Sequence, residues 1–201
     1  MNKGRVEAFS DAIVAIIMTI MILEFKTPED FHWQAILENL TYLFAYAVSF
    51  FFIAVAWYNH HYMFSLTKHV TKRIYWVNNI WLFTMALIPV ATAWAGKFMS
   101  HRGPEYFYLF IFTLWSVAYL RLSKSFEQLH QEKHPIISQK IRKMGPNQYM
   151  SSLYFPLTVI IIGIGIYFYP PISLIATLIE LIIMAFWTND DSDKIFDETI
   201  E

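Results

Sequence analysis

Few residues in this chain could do chemistry, and they are unevenly placed. The stretch "RVEAFSDAIVAIIMTIMILEF" (residues 5–25) sets Arg5, Glu7, Ser10 and Asp11 at the head of an apolar run. That run keeps one hydroxyl, Thr19, and ends near Glu24. Carboxylates close to a helix start are favoured by its dipole, which accounts for Glu7 as an interfacial cap. Asp11 sits nearly two turns in, where an ionised side chain in apolar surroundings needs a partner. His60, in "AWYNHHYMF", is either a satisfied packing histidine or a proton sensor, since imidazole titrates near neutral pH. Glu180 lies inside another apolar run, where it is either functional or paired in packing. His130 and His134 stand four residues apart and could share a metal on one helix face; no third ligand accompanies them, so they are read as a solvated face and no metal is expected. Phosphate-binding, zinc-hydrolase and serine-hydrolase motifs are absent, and no enzymatic activity is expected. The chain has no cysteine, and its net charge of −1 gives no reason to expect nucleic acid as a partner.

The elements that carry these residues are membrane-length helices. Of 201 residues, 56% are hydrophobic, 18% aromatic and only 15% charged. The apolar residues come in runs long enough for the roughly 20-residue helix that crosses a bilayer. An all-α integral membrane protein with six transmembrane helices is predicted. The spans run over Arg5–Phe25, Trp33–Phe64, Ile74–Lys97, Pro104–Ser123 (continuing as a polar helix to Lys133), Tyr149–Tyr169 and Ile172–Trp187. Residues 1–201 form one membrane domain: helices one to four with their cytosolic extension over 1–133, a cytosolic loop over 134–148, helices five and six over 149–188, and an acidic tail over 189–201. The first run lacks a small-residue cleavage site and reads as a retained helix, not a removed signal. Pro170-Pro171 forces the turn between the last two spans. Of the 15 lysines and arginines, all but Lys26, Lys97 and Arg102 fall on one side of this arrangement, which places both termini in the cytoplasm; the expected location is the plasma membrane. Trp33, Trp57, Trp76, Trp94 and Trp187 fall near the expected interfaces.

An α-helix advances 100° per residue. With Asp11 at zero, Thr19 lies near about 80°, Leu23 near about 120°, Ile16 near about 140° and Ile20 near about 180°. Ile16, Thr19 and Leu23 form a narrow stripe with Ile20 at its edge, while Ser10 and Asp11 point toward neighbouring helices. The stripe alone is compatible with lipid contact, with Thr19 bonding the carbonyl of Ala15 one turn back. Buried polar groups need partners, and Trp57, His60, Asn78 and Asn79 fall at the cytoplasmic depth of the head. Arg5, Phe9, Ser10 and Asp11 are therefore expected to lock the first helix against the second and third.

Arg5-x-x-x-Phe9-Ser10-Asp11 followed by "AIVAIIMTIMILE" resembles the signature helix of the endosomal/lysosomal potassium channel family, transmembrane protein 175, and its bacterial relatives. The likeness continues through Trp57-x-x-His60 and through "NNIWLFTMALIP" at residues 78–89. It covers spans one to three in sequence and spans four to six in topology only. Ala12 departs from the glycine that many members carry after the Asp. No Thr-Val-Gly-Tyr-Gly carbonyl filter is present, as in the family.

The resemblance implies a potassium-permeable cation channel whose pore is lined by the first helix of each unit. Carried onto this chain, the constriction falls at Ile16, with Ile20 and Leu23 further out and Thr19 as the selectivity position. Animal members carry two six-helix units per chain; one unit here implies a homotetramer in the bilayer, passing K⁺ and less readily Na⁺, with no cofactor beyond the permeant ion. Glu24 would stand at the outer mouth, or simply be an interfacial carboxylate, since its wheel angle of about 220° lies off the stripe. The rival class is a proton- or ion-coupled transporter using His60 and Glu180. Such proteins commonly break helices at the binding site, and the first span has no Gly or Pro break.

Overall fold

The computed structural model describes residues 1–25, 27, 31–37 and 39–188, and the acidic tail and Lys26 lie outside them. All regular structure among these residues is helical. Helix α1 (Lys3–Ile20) ends in a 3₁₀ turn over Met21–Glu24. The short α2 (Gln34–Leu37) precedes α3 (Leu40–Ser65), α4 (Lys72–Met85) and α5 (Ile88–Lys97). The 29-residue α6 (Arg102–His130) is followed by α7 (Pro135–Arg142), α8 (Gly145–Ser151), α9 (Tyr154–Phe168) and α10 (Ile172–Phe186).

Among the described residues four stretches are long and apolar enough to cross a membrane: Lys3–Glu24, Leu40–Ser65, Lys72–Lys97 and Arg102–His130. The bent pair α8–α9 makes a fifth if counted as one span, and α10 is a shorter apolar helix. The predicted second span therefore begins at Leu40, not at Trp33. The predicted third span is two helices, because Pro89 has no N–H and its ring crowds the carbonyl of Met85. The chain crosses this break by a tightened turn, Leu87 N–H donating to Thr84 O at 3.2 Å. The predicted fifth span likewise bends by 74° between α8 and α9. Most of the stretch expected as a loop over 134–148 is helical: its polar residues belong to α7 and α8, which fold back onto α6 and α9.

The core is aromatic and lies between α3, α4 and α6. Trp81, Trp115, Tyr119, Phe64 and Phe126 are all buried, and Trp115 stacks on Tyr119 with ring centroids 5.5 Å apart. Helix α1 is a lateral member of this bundle. Its inner face, Val6, Ser10, Val14, Ile17 and Met21, is buried against α3, α4 and α5.

Gly96 allows the close approach of α5 to α3. A Cβ there would stand 2.9 Å from the Tyr42 Cα and 3.1 Å from the Ala45 Cβ, whereas one at Gly103 would meet nothing within 4 Å. Gly96→Ala is expected to destabilise the protein by about 1–3 kcal/mol through overpacking. Gly103→Ala should be neutral or slightly stabilising. Thermal unfolding of both variants in detergent checks this, and equal midpoints would refute the tight α3–α5 contact.

Candidate functional site

The head of α1 is held by two antiparallel rungs and one buried relay. Glu7 and Asp11 are one turn apart on α1, as are Trp57 and His61 on α3. Because the helices run in opposite directions, the pairs meet in reverse order. Trp57 Nε1–H donates to Asp11 Oδ1 at 2.8 Å, and His61 Nδ1 lies 3.5 Å from Glu7 Oε1. Lys3 Nζ adds a 3.8 Å contact to the other Glu7 oxygen, and the Trp57 and His61 rings stack at 5.6 Å.

The relay is deeper. The Ser10 hydroxyl donates to Val6 O at 2.9 Å and accepts from Asn78 Nδ2–H at 2.8 Å. The amide oxygen of Asn78 then pairs with His60 Nε2 at 2.8 Å. An amide oxygen can only accept, so Nε2 carries the proton. Ser10, His60 and Asn78 are all fully buried. His60 also lies flat on Trp81, with centroids 4.7 Å apart and planes 7° from parallel, while its Nδ1 has no hydrogen-bond partner.

Of the residues expected in this lock, Ser10, Asp11, Trp57, His60 and Asn78 are brought together. Three are not. Asn79 Nδ2–H donates to Tyr75 O within its own helix; one residue of helical register turns it away from Asn78's face. Arg5 and Phe9 lie exposed, outside the hydrogen-bonded set.

The opposite face of α1 is open. Ile16 is 56% exposed, Ile20 45% and Leu23 76%, with Thr19 exposed among them. The small residues Ala8, Ala12 and Ala15 continue the same exposed stripe toward the head. The Thr19 hydroxyl donates back into its helix, lying 3.0 Å from Ala15 O and 2.9 Å from Ile16 O. Its proton is thereby used, and the oxygen is left as an acceptor directed off the helix. One cavity borders the stripe and a second lies beyond it at Glu24. The first, about 360 Å³, lies between Ile13, Ile16, Ile17 and Ile20 and the α4–α5 break at Ala86, Pro89 and Val90. The other, about 540 Å³, is lined by Glu24, Asn39, Tyr42, Trp94 and Lys97. Glu24 borders both and is exposed.

The remaining polar candidates sit apart from this face. Tyr149 O–H donates to Glu180 Oε1 at 2.8 Å, joining α8 to α10. His60 and Glu180 thus carry separate hydrogen bonds and share no site of the kind a transporter would need. His130 is not on a solvated face: it is 5% exposed and pairs through Nε2 with Thr67 Oγ1 at 3.0 Å. The loop after α3 folds over it, which helical spacing cannot foretell. His134 remains exposed, and among the described residues no three His, Asp or Glu side chains are grouped to hold a metal.

The sequence profile of the family described as "Endosomal/lysosomal potassium channel TMEM175" matches residues 5–89, the segment that contains the lock and the stripe. A potassium channel of Chryseobacterium sp. (strain P1-3) is 34% identical over 175 residues, covering 87% of this chain and 88% of that protein. The chain belongs to the TMEM175 family. The crystal structure of a lysosomal potassium-selective channel TMEM175 homolog from Chamaesiphon minutus matches with a TM-score of 0.74 at 25% identity, covering 93% of this chain and 98% of that one. The endosomal/lysosomal proton channel TMEM175 of Gallus gallus is 30% identical over 146 residues, which are 29% of its own length. The protein is accordingly a multi-pass membrane protein with the TMEM175 channel fold.

Three polar sets in this TMEM175-family chain escaped the sequence reading. The Glu7–His61 rung was hidden because Glu7 also suits a helix start. Thr92 Oγ1–H donates to Ser49 Oγ at 2.7 Å, and Ser49 pairs with the Tyr108 hydroxyl at 3.1 Å, tying α5, α3 and α6 together. Glu105, fully buried in the first turn of α6, accepts from the Ser173 hydroxyl on α10. A glutamate following a proline at a helix start reads as an ordinary cap, and only the fold brings α10 to it.

Asn78→Leu would leave the buried His60 Nε2–H unpaired, at a cost of about 1–3 kcal/mol, and would remove the bond that Ser10 Oγ accepts while leaving its bond to Val6 O. Asp11→Asn keeps an acceptor for Trp57 and should cost less. Unfolding midpoints in detergent check the order. A variant at Asn78 as stable as the parent would mean the relay does not hold α1.

Proposed function

We propose that the protein is a potassium-permeable cation channel of the plasma membrane, formed by four copies around an axis lined by α1. One observation carries this reading: α1 turns Glu7, Ser10 and Asp11 into its own subunit and leaves Ile16, Thr19, Ile20 and Leu23 exposed on the other face. One helix cannot enclose a path, but four around a four-fold axis can. Ala8, Ala12 and Ala15 on the same stripe would let four helices approach closely.

In this arrangement the ring of Ile16 side chains is the constriction. An apolar neck a few ångströms wide expels water, so an ion there loses its hydration shell without replacement, and a modest radial or rotational movement of the helix opens it. Thr19, one turn further out, offers oxygens whose protons are already committed to the helix. Such acceptors can replace part of the shell of K⁺, which dehydrates more readily than Na⁺. Selection is expected to be weaker than in a filter of fixed carbonyls. Glu24 would gather cations at the outer mouth; Lys97 lines the same cavity and offsets part of that attraction. The potassium-channel names of the Chryseobacterium and Chamaesiphon relatives support the choice of ion.

Two expectations follow. The mass in detergent should be four times the 23.8 kDa chain, and a functional monomer or dimer would exclude the pore as drawn. In liposome flux at matched reconstitution, Ile16→Asn should wet the neck and raise resting K⁺ flux several-fold. Thr19→Val should keep the size, remove the oxygen and lower the preference for K⁺ over Na⁺. Met18→Leu, off the stripe and partly packed on the core, should be silent. If Ile16→Asn leaves flux unchanged while Met18→Leu alters it, another face of α1 lines the path.

A further inference from the structure

The corner between α7 and α8 has a chemistry that the pore does not use. From Lys133 to Ile179 the chain contains no aspartate or glutamate, yet it carries Lys133, Lys140, Arg142 and Lys143 within eleven residues. Helix α7 is amphipathic: Ile141 is buried and Ile137 packs on the core, while Arg142 and Lys143 are exposed and Lys140 is half-exposed. None of these cations makes an ion pair among the described residues. Ile136, 66% exposed, stands beside them, and Leu153 and Tyr154 are exposed at the start of α9. Apolar side chains set next to unpaired cations suit the boundary between headgroups and acyl chains better than open water.

Three features put this corner at the level of the membrane surface. Helix α6, at 29 residues, is about 43 Å long and overshoots a hydrocarbon core of about 30 Å, so the α7 that packs on its end lies outside the core. Helix α8 is bent by 74° from α9, so it does not continue the direction in which α9 runs through the bilayer. Gly145, two residues after Lys143, lies against Trp187 at the end of α10, where a Cβ would stand 2.9 Å from the indole side chain. A tryptophan at the end of an apolar helix marks the headgroup layer.

We infer that Lys140, Arg142 and Lys143, at the α7–α8 corner, form a docking surface for the phosphate of an anionic lipid headgroup in the bilayer that holds the protein. Arg142 supplies a planar fork for phosphate oxygens and the two lysines supply point charges. Ile136, Leu153 and Tyr154 supply the apolar edge for the upper acyl chain. The corner between α3 and α4 also carries exposed Lys68, Lys72 and Arg73, with Trp76 exposed one turn on, but it has no short amphipathic helix like α7. It is therefore the natural control.

The test uses the full chain in detergent micelles. Native mass spectrometry reads how much phosphatidylglycerol or phosphatidylcholine the protein retains on titration with each. The parent should retain phosphatidylglycerol in preference, with retention falling as salt rises from 50 to 500 mM. At about five-fold per basic residue, Lys140→Gln/Arg142→Gln/Lys143→Gln should weaken it by about a hundred-fold. Lys68→Gln/Lys72→Gln/Arg73→Gln, with the same change in net charge, should leave it near the parent value. Arg142→Gln alone, expected at about five-fold, covers the case in which the triple variant does not fold. Equal retention of the two lipids by the parent, an unchanged affinity in Arg142→Gln, or an equal loss in the control would overturn the assignment. So would displacement of the lipid by millimolar soluble glycerol phosphate, which would make the corner a free-phosphate site.

Discussion

The rotational setting of α1 rests on polar groups that have nowhere else to go. Ser10, Asn78 and His60 are buried in a helical bundle that spans a membrane, where water cannot replace a lost partner. Each hydrogen bond in the series from His60 through Asn78 and Ser10 to Val6 O fixes one donor and one acceptor. A rotation of α1 by even one residue, about 100°, would break the series. Because Ser10 must face Asn78, Asp11 must face Trp57, and the residues on the far side of the helix must face outward. The exposed stripe is thus a consequence of the relay as much as of its own composition.

The same logic explains how a helix can be firmly held and still leave an apolar face open. The relay and the two rungs lie in the first half of α1, from Glu7 to Asp11. Beyond Val14 its attachments are aliphatic packing, the buried Met21, and the bond from the Tyr42 hydroxyl to Met21 O. Polar pairing is directional and short-ranged; aliphatic packing tolerates small rotations. Helix α1 thus has most of its directional bonds at its head, while Ile16 and Ile20 border the cavity beside the α4–α5 break. That division suits the small movement of the helix proposed to open the constriction.

The other helices are tied together by polar pairs of their own: Thr92–Ser49–Tyr108, Glu105–Ser173 and Tyr149–Glu180. Each joins helices distant in sequence through groups that lipid cannot satisfy. In a bilayer, apolar packing discriminates poorly between helix–helix and helix–lipid contact, so these pairs help to specify which helices are neighbours. They also give Glu180 a partner, which removes the main reason to assign it a transport role.

Much of this was legible in the sequence because it depends on local periodicity. Membrane-length apolar runs, the grouping of Ile16, Thr19 and Leu23 on one face, and the need of Asp11 for a partner follow from 100° per residue and the absence of water, and the turn at Pro170-Pro171 from the missing proline N–H. The Arg5-to-Asp11 motif, Trp57-x-x-His60 and the segment at residues 78–89 together carried the resemblance to the TMEM175 family. What the sequence could not decide is which polar groups meet. Asn78 rather than its neighbour Asn79 reaches Ser10, 68 residues away, Glu7 finds His61, and His130 is covered by the loop carrying Thr67. The segment 134–148 contains helices because α6 and α9 give α7 and α8 a surface to pack on; short helices in water lack that support. Periodicity is a property of one helix, readable from its own residues. Pairing depends on the rotation and register of two, and only the packed bundle sets those.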